Sequence, residues 1–322
     1  MLDGLIYAML FDGEGGAKEL SAEQIDGWQE SDGLLWLHFD YSKPEVREWI
    51  TDRSGLDEVS VSALLAEETR PRAMAAGNAL LIALRGVNLN PGADPEDMVS
   101  IRLWTDNKRI ISTRRRRLLS VDDIIGVIRS GHGPANAAEF ISLLSSRLTV
   151  RMQDAIEQAE DDVADLEDAV LTMNRQTMRN ELSGLRRQLI ALRRYMSPQR
   201  EALNRIQLEA PKWFDDFQRL RMRETSDRMM LYIDVLDSVR ERAAVTQEEL
   251  VNQLSEEFNK RMYVLSIVAA IFLPLGFFTG LLGINVGGMP GAEESIAFWL
   301  VCGICVLVVV GEVILFRRKR WL

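Results

Sequence analysis

Apolar positions along this chain follow three periods in turn, and each change of period marks a change of architecture. In the first 120 residues, short runs rich in β-branched and large apolar side chains lie at 5–10, 34–39, 80–87, 99–104 and 109–112, and these read as strands. Stretches with polar starts around 21–30, 43–51 and 57–67 read as helices, so a mixed α/β domain is expected over residues 1–135. Asn90-Pro91-Gly92 marks a turn or hairpin loop.

After Gly133-Pro134 the period becomes helical. Met152, Ile156, Ala159, Val163, Leu166, Val170 and Met173 recur at alternating steps of four and three, a heptad stripe on a long helix. Leu182, Leu185, Leu189, Leu192 and Met196 extend the theme into a second helix that Pro198 is expected to end or kink, and the pair reads as an antiparallel coiled hairpin. Residues 212–273 hold neither Gly nor Pro. One helix of that length spans roughly 90 Å at 1.5 Å per residue. Residues 136–262 are therefore expected to form a helical coiled stalk or funnel that runs on into a membrane.

The third pattern is apolarity without period. Residues 262–292 carry no charge, and the best 20-residue span within them is about 263–282. A second span at about 296–316 is interrupted only by Glu312 and is followed by Arg317-Arg318-Lys319-Arg320. Residues 263–322 thus predict a two-helix transmembrane hairpin with a short loop at 283–295. By the positive-inside rule, Lys260-Arg261 and the basic tail lie in the cytoplasm. Both termini are then inside, and the loop's Glu293 and Glu294 lie outside, where they attract cations.

Charge sharpens the division. The chain has a net charge of −10, yet four basic residues close it, leaving 34 of the 38 Lys and Arg against all 48 Asp and Glu in residues 1–316, a net charge of −14 there. Such a body repels nucleic acid and concentrates cations. Cys302 and Cys305 both lie in the second apolar span, so the body has no disulfide framework and suits a reducing cytoplasm. The N-terminus has no basic n-region followed by an apolar run, so no secretory signal is read there.

No Walker A sequence, H-E-x-x-H or G-x-S-x-G is found, and two histidines are too few for general-base work, so neither an enzyme nor ATP-driven transport is expected and no cofactor is implied. His38 and His132 are weak metal contacts beside a structural role. Asp154, Glu157, Asp161 and Asp165, within the acidic block 154–168, are weak metal candidates on what is otherwise a solvated face. Cys302-x-x-Cys305 has metal-ligand spacing but sits in hydrocarbon, where small apolar use is the simpler role. The run Arg114 to Arg117 is expected to pair with the acidic helices. Glu312 should snorkel or pair with Arg317, Lys260 or Arg261.

On the first span Met262, Leu265, Ala269, Leu273, Gly276 and Gly280 share one face and lead towards Asn285. The face has no carboxylate or imidazole, and Gly276-x-x-x-Gly280 also suits close helix packing. A single hairpin encloses no channel, so transport needs several copies round an axis. An apolar lining suits an ion that keeps much of its water shell, with the Asn285 amide accepting from the hydrating waters at the entrance.

Gly283-Ile284-Asn285 after Leu273-Pro274-Leu275, then Met289-Pro290, a second span and the ending Lys319-Arg320-Trp321-Leu322, resembles the CorA superfamily of divalent-cation transporters. The family signature is Gly-Met-Asn, and here Ile284 replaces its middle residue. Gly287-Gly288 and Gly291 are more similar to the ZntB-like zinc branch than to the magnesium branch. Glu68-Thr69-Arg70-Pro71-Arg72, Arg85 to Asn90 and Ile111 to Arg117 extend the resemblance over most of the chain. It implies a homopentamer with a cytoplasmic funnel and a pore lined by Asn259, Met262, Leu265, Leu273, Gly276, Gly280 and Asn285, with Gly283, Ile284 and Asn285 at its mouth.

The expected function is therefore divalent-cation transport across the inner membrane. Zn2+ is the first substrate, Mg2+, Co2+ or Ni2+ are alternatives, and coupling to protons is left open. A membrane-tethered coiled-coil scaffold or sensor is the competing class.

Overall fold

The computed structural model describes residues 2–170, 172, 174–283, 294 and 296–319, and they divide into two compact units, Met1–Gln247 and Glu248–Leu322. The first unit is built on a seven-stranded sheet. Its strands are β1 (Leu5–Phe11), β2 (Ala17–Glu19), β3 (Leu35–Asp40), β4 (Arg72–Ala76), β5 (Ala79–Gly86), β6 (Val99–Thr105) and β7 (Arg109–Arg114). They lie in the order β2-β1-β3-β7-β6-β5-β4, and only β3 and β7 run parallel.

Alternation sorts the central strands onto two faces. Leu35, Leu37 and Phe39 of β3, with Ile111, Trp104 and Leu81 beside them, form a core with Val46 of α2 (Pro44–Glu48), Ile50 of the following π-turn, and Ala63 and Leu64 of α3 (Glu58–Leu65). Asp57 caps α3 by accepting from the Ser60 N–H at 3.0 Å. On the opposite face Trp36 packs edge-on against Phe140 of α5 (Ala137–Val150), with ring centroids 4.7 Å apart. Helix α4 (Leu119–Arg129) shares this side: at Gly86 an added Cβ would lie 2.8 Å from both Leu118 and Leu148.

Helices α6 (Gln153–Ala169), α7 (Arg175–Glu209) and the first part of α8 (Asp216–Leu282) complete the unit. The heptad stripe is its seam. Met152, Ile156, Ala159, Val163 and Leu166 are buried, as are Leu182, Leu185, Leu189, Leu192 and Met196 of α7 and Met229, Leu236, Val239 and Ala243 of α8. Ion pairs tie the bundle: Arg193 Nε to Asp237 Oδ1 at 2.6 Å, and Arg242 to Glu167 through Nε and Nη2 at 3.0 and 2.5 Å. The Arg242 bond holds the Glu167 carboxyl below the usual carboxylate range. The change of composition near residue 135 is thus a change of secondary structure within one unit.

Pro198 does not end the second helix, which continues to Glu209. One proline removes one backbone donor, and the buried packing of Met196, Ala202, Leu203 and Ile206 on either side holds the turn in place. Its neighbour Gln199 explains why this turn is held against the sheet. Strand β4 begins at Arg72, opposite Ala83, so Arg85 of β5 has no strand partner on that side. The Arg85 N–H donates to Gln199 Oε1 at 2.6 Å, and Gln199 Nε2 donates to the Arg85 carbonyl at 2.9 Å, one side-chain amide standing in for a missing strand. Gln199→Leu should lower the stability of this unit by about 2 kcal/mol, because both backbone groups lose their partners. Chemical denaturation of the full chain in detergent measures it, and an unchanged midpoint would show that water replaces the amide.

The second unit holds the remainder of α8 and α9 (Ala297–Arg318), two helices long and apolar enough to cross a membrane. Helix α8 begins at Asp216, where the Gln218 N–H donates to Asp215 Oδ1 at 2.8 Å, and it passes Pro274 without a break to Leu282.

Candidate pore face and the dispersed polar candidates

The helical stripe on α8 lies on one exposed face. At about 100° per residue, Met262, Leu265, Leu273, Gly276 and Gly280 all fall within about 40° of Ala269. All five are exposed, Leu273 at 73 %, and so is Asn259 one turn earlier. The partly shielded positions on the same stretch, Ile267, Ile271, Pro274 and Leu275, lie about 120–160° away. A Cβ added at Gly276 or Gly280 would meet nothing within 4 Å among the described residues. The stripe is therefore an apolar face with no partner among the described residues of its own chain.

Phe316 of α9 was missed by the sequence reading. It is buried, and it lines a groove of about 320 Å³ with Tyr263, Ser266, Ile267 and Ala270. The only signal was an aromatic ring closing the apolar run. Gly283 ends α8, its N–H donating to the Thr279 carbonyl at 2.9 Å. Ile284, Asn285 and Glu293 lie outside the described residues; Glu294 is exposed.

Glu312 Oε2 is buried with no hydrogen-bond partner among the described residues, while Arg261 pairs with Glu257 at 3.7 Å. Cys302 and Cys305 are partly shielded free thiols. Asp154, Glu157, Asp161 and Asp165 are all exposed along one side of α6. Among the described residues no group of three or more His, Cys, Asp or Glu side chains comes together as a metal site.

His38 is committed to the sheet. Arg114 Nε donates to its Nε2 at 3.0 Å, so that nitrogen carries no proton; Nδ1–H then donates to Ser112 Oγ at 2.8 Å, which also accepts from Trp36 Nε1 at 2.8 Å. Full burial, reinforced by the Arg114 charge, pushes the imidazole down to about 3. With both nitrogens occupied it has no lone pair to offer a metal. The basic run pairs close to home and not with the acidic stalk: Arg116 with Asp97, and Arg117 Nε with Asp122 Oδ2 of α4 at 2.8 Å. His132 lies exposed in the loop after α4.

An α/β unit, a long helix and two apolar helices in this order are shared with known proteins. The chain is 40 % identical over 324 residues to the divalent cation transporter CmaX of Pseudomonas aeruginosa, covering 99 % of this chain and 97 % of that one. It is 36 % identical over 317 residues to the zinc transport protein ZntB of Yersinia enterocolitica, covering 98 % and 96 %. Full-length CmaX superposes with a TM-score of 0.86 at 39 % identity, covering 99 % of this chain and 98 % of that one. The CorA magnesium transporter of Methanocaldococcus jannaschii shares the fold, with a TM-score of 0.83 at 18 % identity over 98 % and 99 % of the two chains. The profile of the CorA-like Mg2+ transporter protein family matches residues 31–318, and with full-length relatives on both sides of that match the chain belongs to this family.

Proposed function

We propose that this member of a divalent-cation transporter family moves Zn2+, largely hydrated, through a homopentameric pore lined by Asn259, Met262, Leu265, Leu273, Gly276 and Gly280, with Gly283, Ile284 and Asn285 at the mouth. The observation that carries the reading is the exposed stripe. It is continuous, apolar, unpartnered among the described residues of its chain and turned away from the shielded side of α8. An aqueous axis shared by several copies gives such a face an occupant, and the absence of carboxylate or imidazole on it suits an ion carried with its water.

Zinc is supported by relatives named for zinc transport at 36 % identity and full length. Mg2+ is the second reading, supported by the family's description and by a stripe that offers no soft ligand. We place the chain in the inner membrane with both termini in the cytoplasm. Lys260-Arg261 precede the first span and Arg317-Arg318 follow the second, which puts both basic ends in the cytoplasm, and residues 136–262 are read as the helical stalk. The acidic body would gather cations there, and Glu293 and Glu294 would do so outside.

Reconstitution into proteoliposomes tests this. Zn2+ uptake should be saturable, should exceed Mg2+ uptake, and should fall about tenfold in Asn285→Ala, the loss expected when about 1.4 kcal/mol of entrance stabilisation goes. Uptake of Mg2+ alone would overturn zinc. No flux of either ion would favour a tethered scaffold. A pH gradient that leaves the rate unchanged would exclude proton coupling.

A further inference from the structure

Within the acidic first unit, one cleft has the opposite character. A cavity of about 370 Å³ is lined by Glu68, Thr69, Arg70, Arg85, Arg194 and Tyr195, three guanidinium groups against one carboxylate. It adjoins a second cavity of about 220 Å³ that shares Glu68, Arg85 and Tyr195 but is balanced in charge, with Glu67 and Asp97 set against Arg115 and Arg116, so the basic character is confined to the first. The first cavity's residues come from the segment between α3 and β4, the end of β5 and the middle of α7, and no stretch of sequence brings them together.

The cleft is built. Arg85 Nε donates to the Thr69 carbonyl at 3.1 Å and Nη1 to the Met98 carbonyl at 2.8 Å, and its guanidinium lies over the Tyr195 ring, 4.0 Å from the centroid. Those bonds fix the fork and leave Nη2 for a ligand. Arg194 lies 5.4 Å from the same ring. Thr69 is only 7 % exposed, and its Oγ1 is buried with no hydrogen-bond partner.

Arg102 is 1 % exposed and lies over the Tyr41 ring, 4.5 Å from its centroid. Its Nη2 donates to Tyr41 OH at 3.4 Å and to the Glu67 carbonyl at 3.2 Å, while Nε and Nη1 have no partner. A buried guanidinium without a carboxylate and a buried hydroxyl without a partner are costly arrangements. Of the two, Thr69 lines the cleft, and a negative ligand there would lower the cost of its unpartnered hydroxyl.

We propose that this cleft binds a phosphate-type oxyanion. Planar guanidinium forks match a tetrahedral oxyanion two bonds at a time, a hydroxyl donates a third, and the same charges repel the divalent cargo. The phosphoryl group comes either from free orthophosphate or from a nucleotide, and in both cases it would tie α7 to β5 on the side where Gln199 already joins them.

Titration calorimetry on the full chain in detergent at fixed ionic strength tests this, with sodium orthophosphate and ATP without metal as separate ligands and sodium chloride as control. Saturable binding of orthophosphate and ATP alike identifies the phosphoryl group alone as the ligand; binding of ATP at least tenfold tighter assigns a nucleotide. Arg70→Ala and Arg194→Ala, both at exposed side chains, should each weaken binding about tenfold, Arg194→Lys less, and Thr69→Val about threefold, with unliganded melting temperatures unchanged. Absence of saturable heat with both ligands overturns the proposal. So do affinities unchanged in the two alanine variants, or complete displacement by chloride at equal concentration.

Discussion

Replacing Gly280 with leucine should cut Zn2+ flux by roughly a hundredfold or more, about 2.7 kcal/mol of added barrier, while leaving the chain folded. A Cβ added at Gly280 meets nothing within 4 Å among the described residues of its own chain. Leucine is also a far better helix former than glycine, which lies about 0.8–1 kcal/mol below alanine. Around a shared axis, however, every copy adds an isobutyl group to the same ring of the bore. A ring of branched alkyl groups offers no hydrogen bond to hydrating water and closes by dewetting.

The control is the same addition on the second span. Gly303 and Gly311 of α9 also have open space beside them, and there leucine should leave flux within about twofold, a change under about 0.5 kcal/mol. Proteoliposome uptake and the oligomeric state in detergent must be read together. Loss of flux with the assembly intact identifies the stripe as the bore, whereas loss of flux with dissociation identifies Gly276-x-x-x-Gly280 as a packing motif. Wild-type flux in an intact Gly280→Leu assembly would remove this face from the pathway.

Why this face could be read from sequence and others could not is a matter of which forces place each residue. Heptad stripes and apolar spans are set by periodic burial along one element, so Met152 to Leu166 and the span at 263–282 need no tertiary knowledge. Strand β4, Arg-Ala-Met-Ala-Ala, carries helix-forming residues and is a strand only because β5 pairs with it. Helix α4 shows the reverse case: Val121, Ile124, Ile125 and Ile128 have strand preference, yet their spacing buries them on one side of a helix. β2, three residues pairing with the edge of β1, left no pattern long enough to detect. The Arg85–Tyr195 contact was illegible for another reason: it joins residues 110 positions apart through a fold that local propensity does not encode.

His38 was legible as a structural histidine, but the consequence of its burial emerges only from its partners. The network leaves it one protonation state. Arg114 Nε–H points at Nε2, so a proton there would face a second donor and a second positive charge. Its folded value of about 3 lies well below the 6.5 of an unfolded histidine. Above pH 6.5 the imidazole is neutral in both states and its contribution to stability is fully present. As the pH falls from 6.5 towards 3, the unfolded chain takes up a proton that the folded chain refuses, and stability falls by about 1.4 kcal/mol per unit.

Below about pH 3 this group contributes no further slope. Other groups add their own acid sensitivity, notably Asp57 and Glu167, whose carboxyls are held below their usual range by Ser60 and Arg242. A comparison of variants isolates the histidine. In His38→Gln an amide can still accept from Arg114 and donate to Ser112, but it does not titrate. Between pH 6.5 and 4.5 the wild-type chain should lose about 2–3 kcal/mol more than His38→Gln by chemical denaturation. Parallel pH profiles for the two proteins would mean that the imidazole is protonated in the folded state, with Arg114 displaced from it.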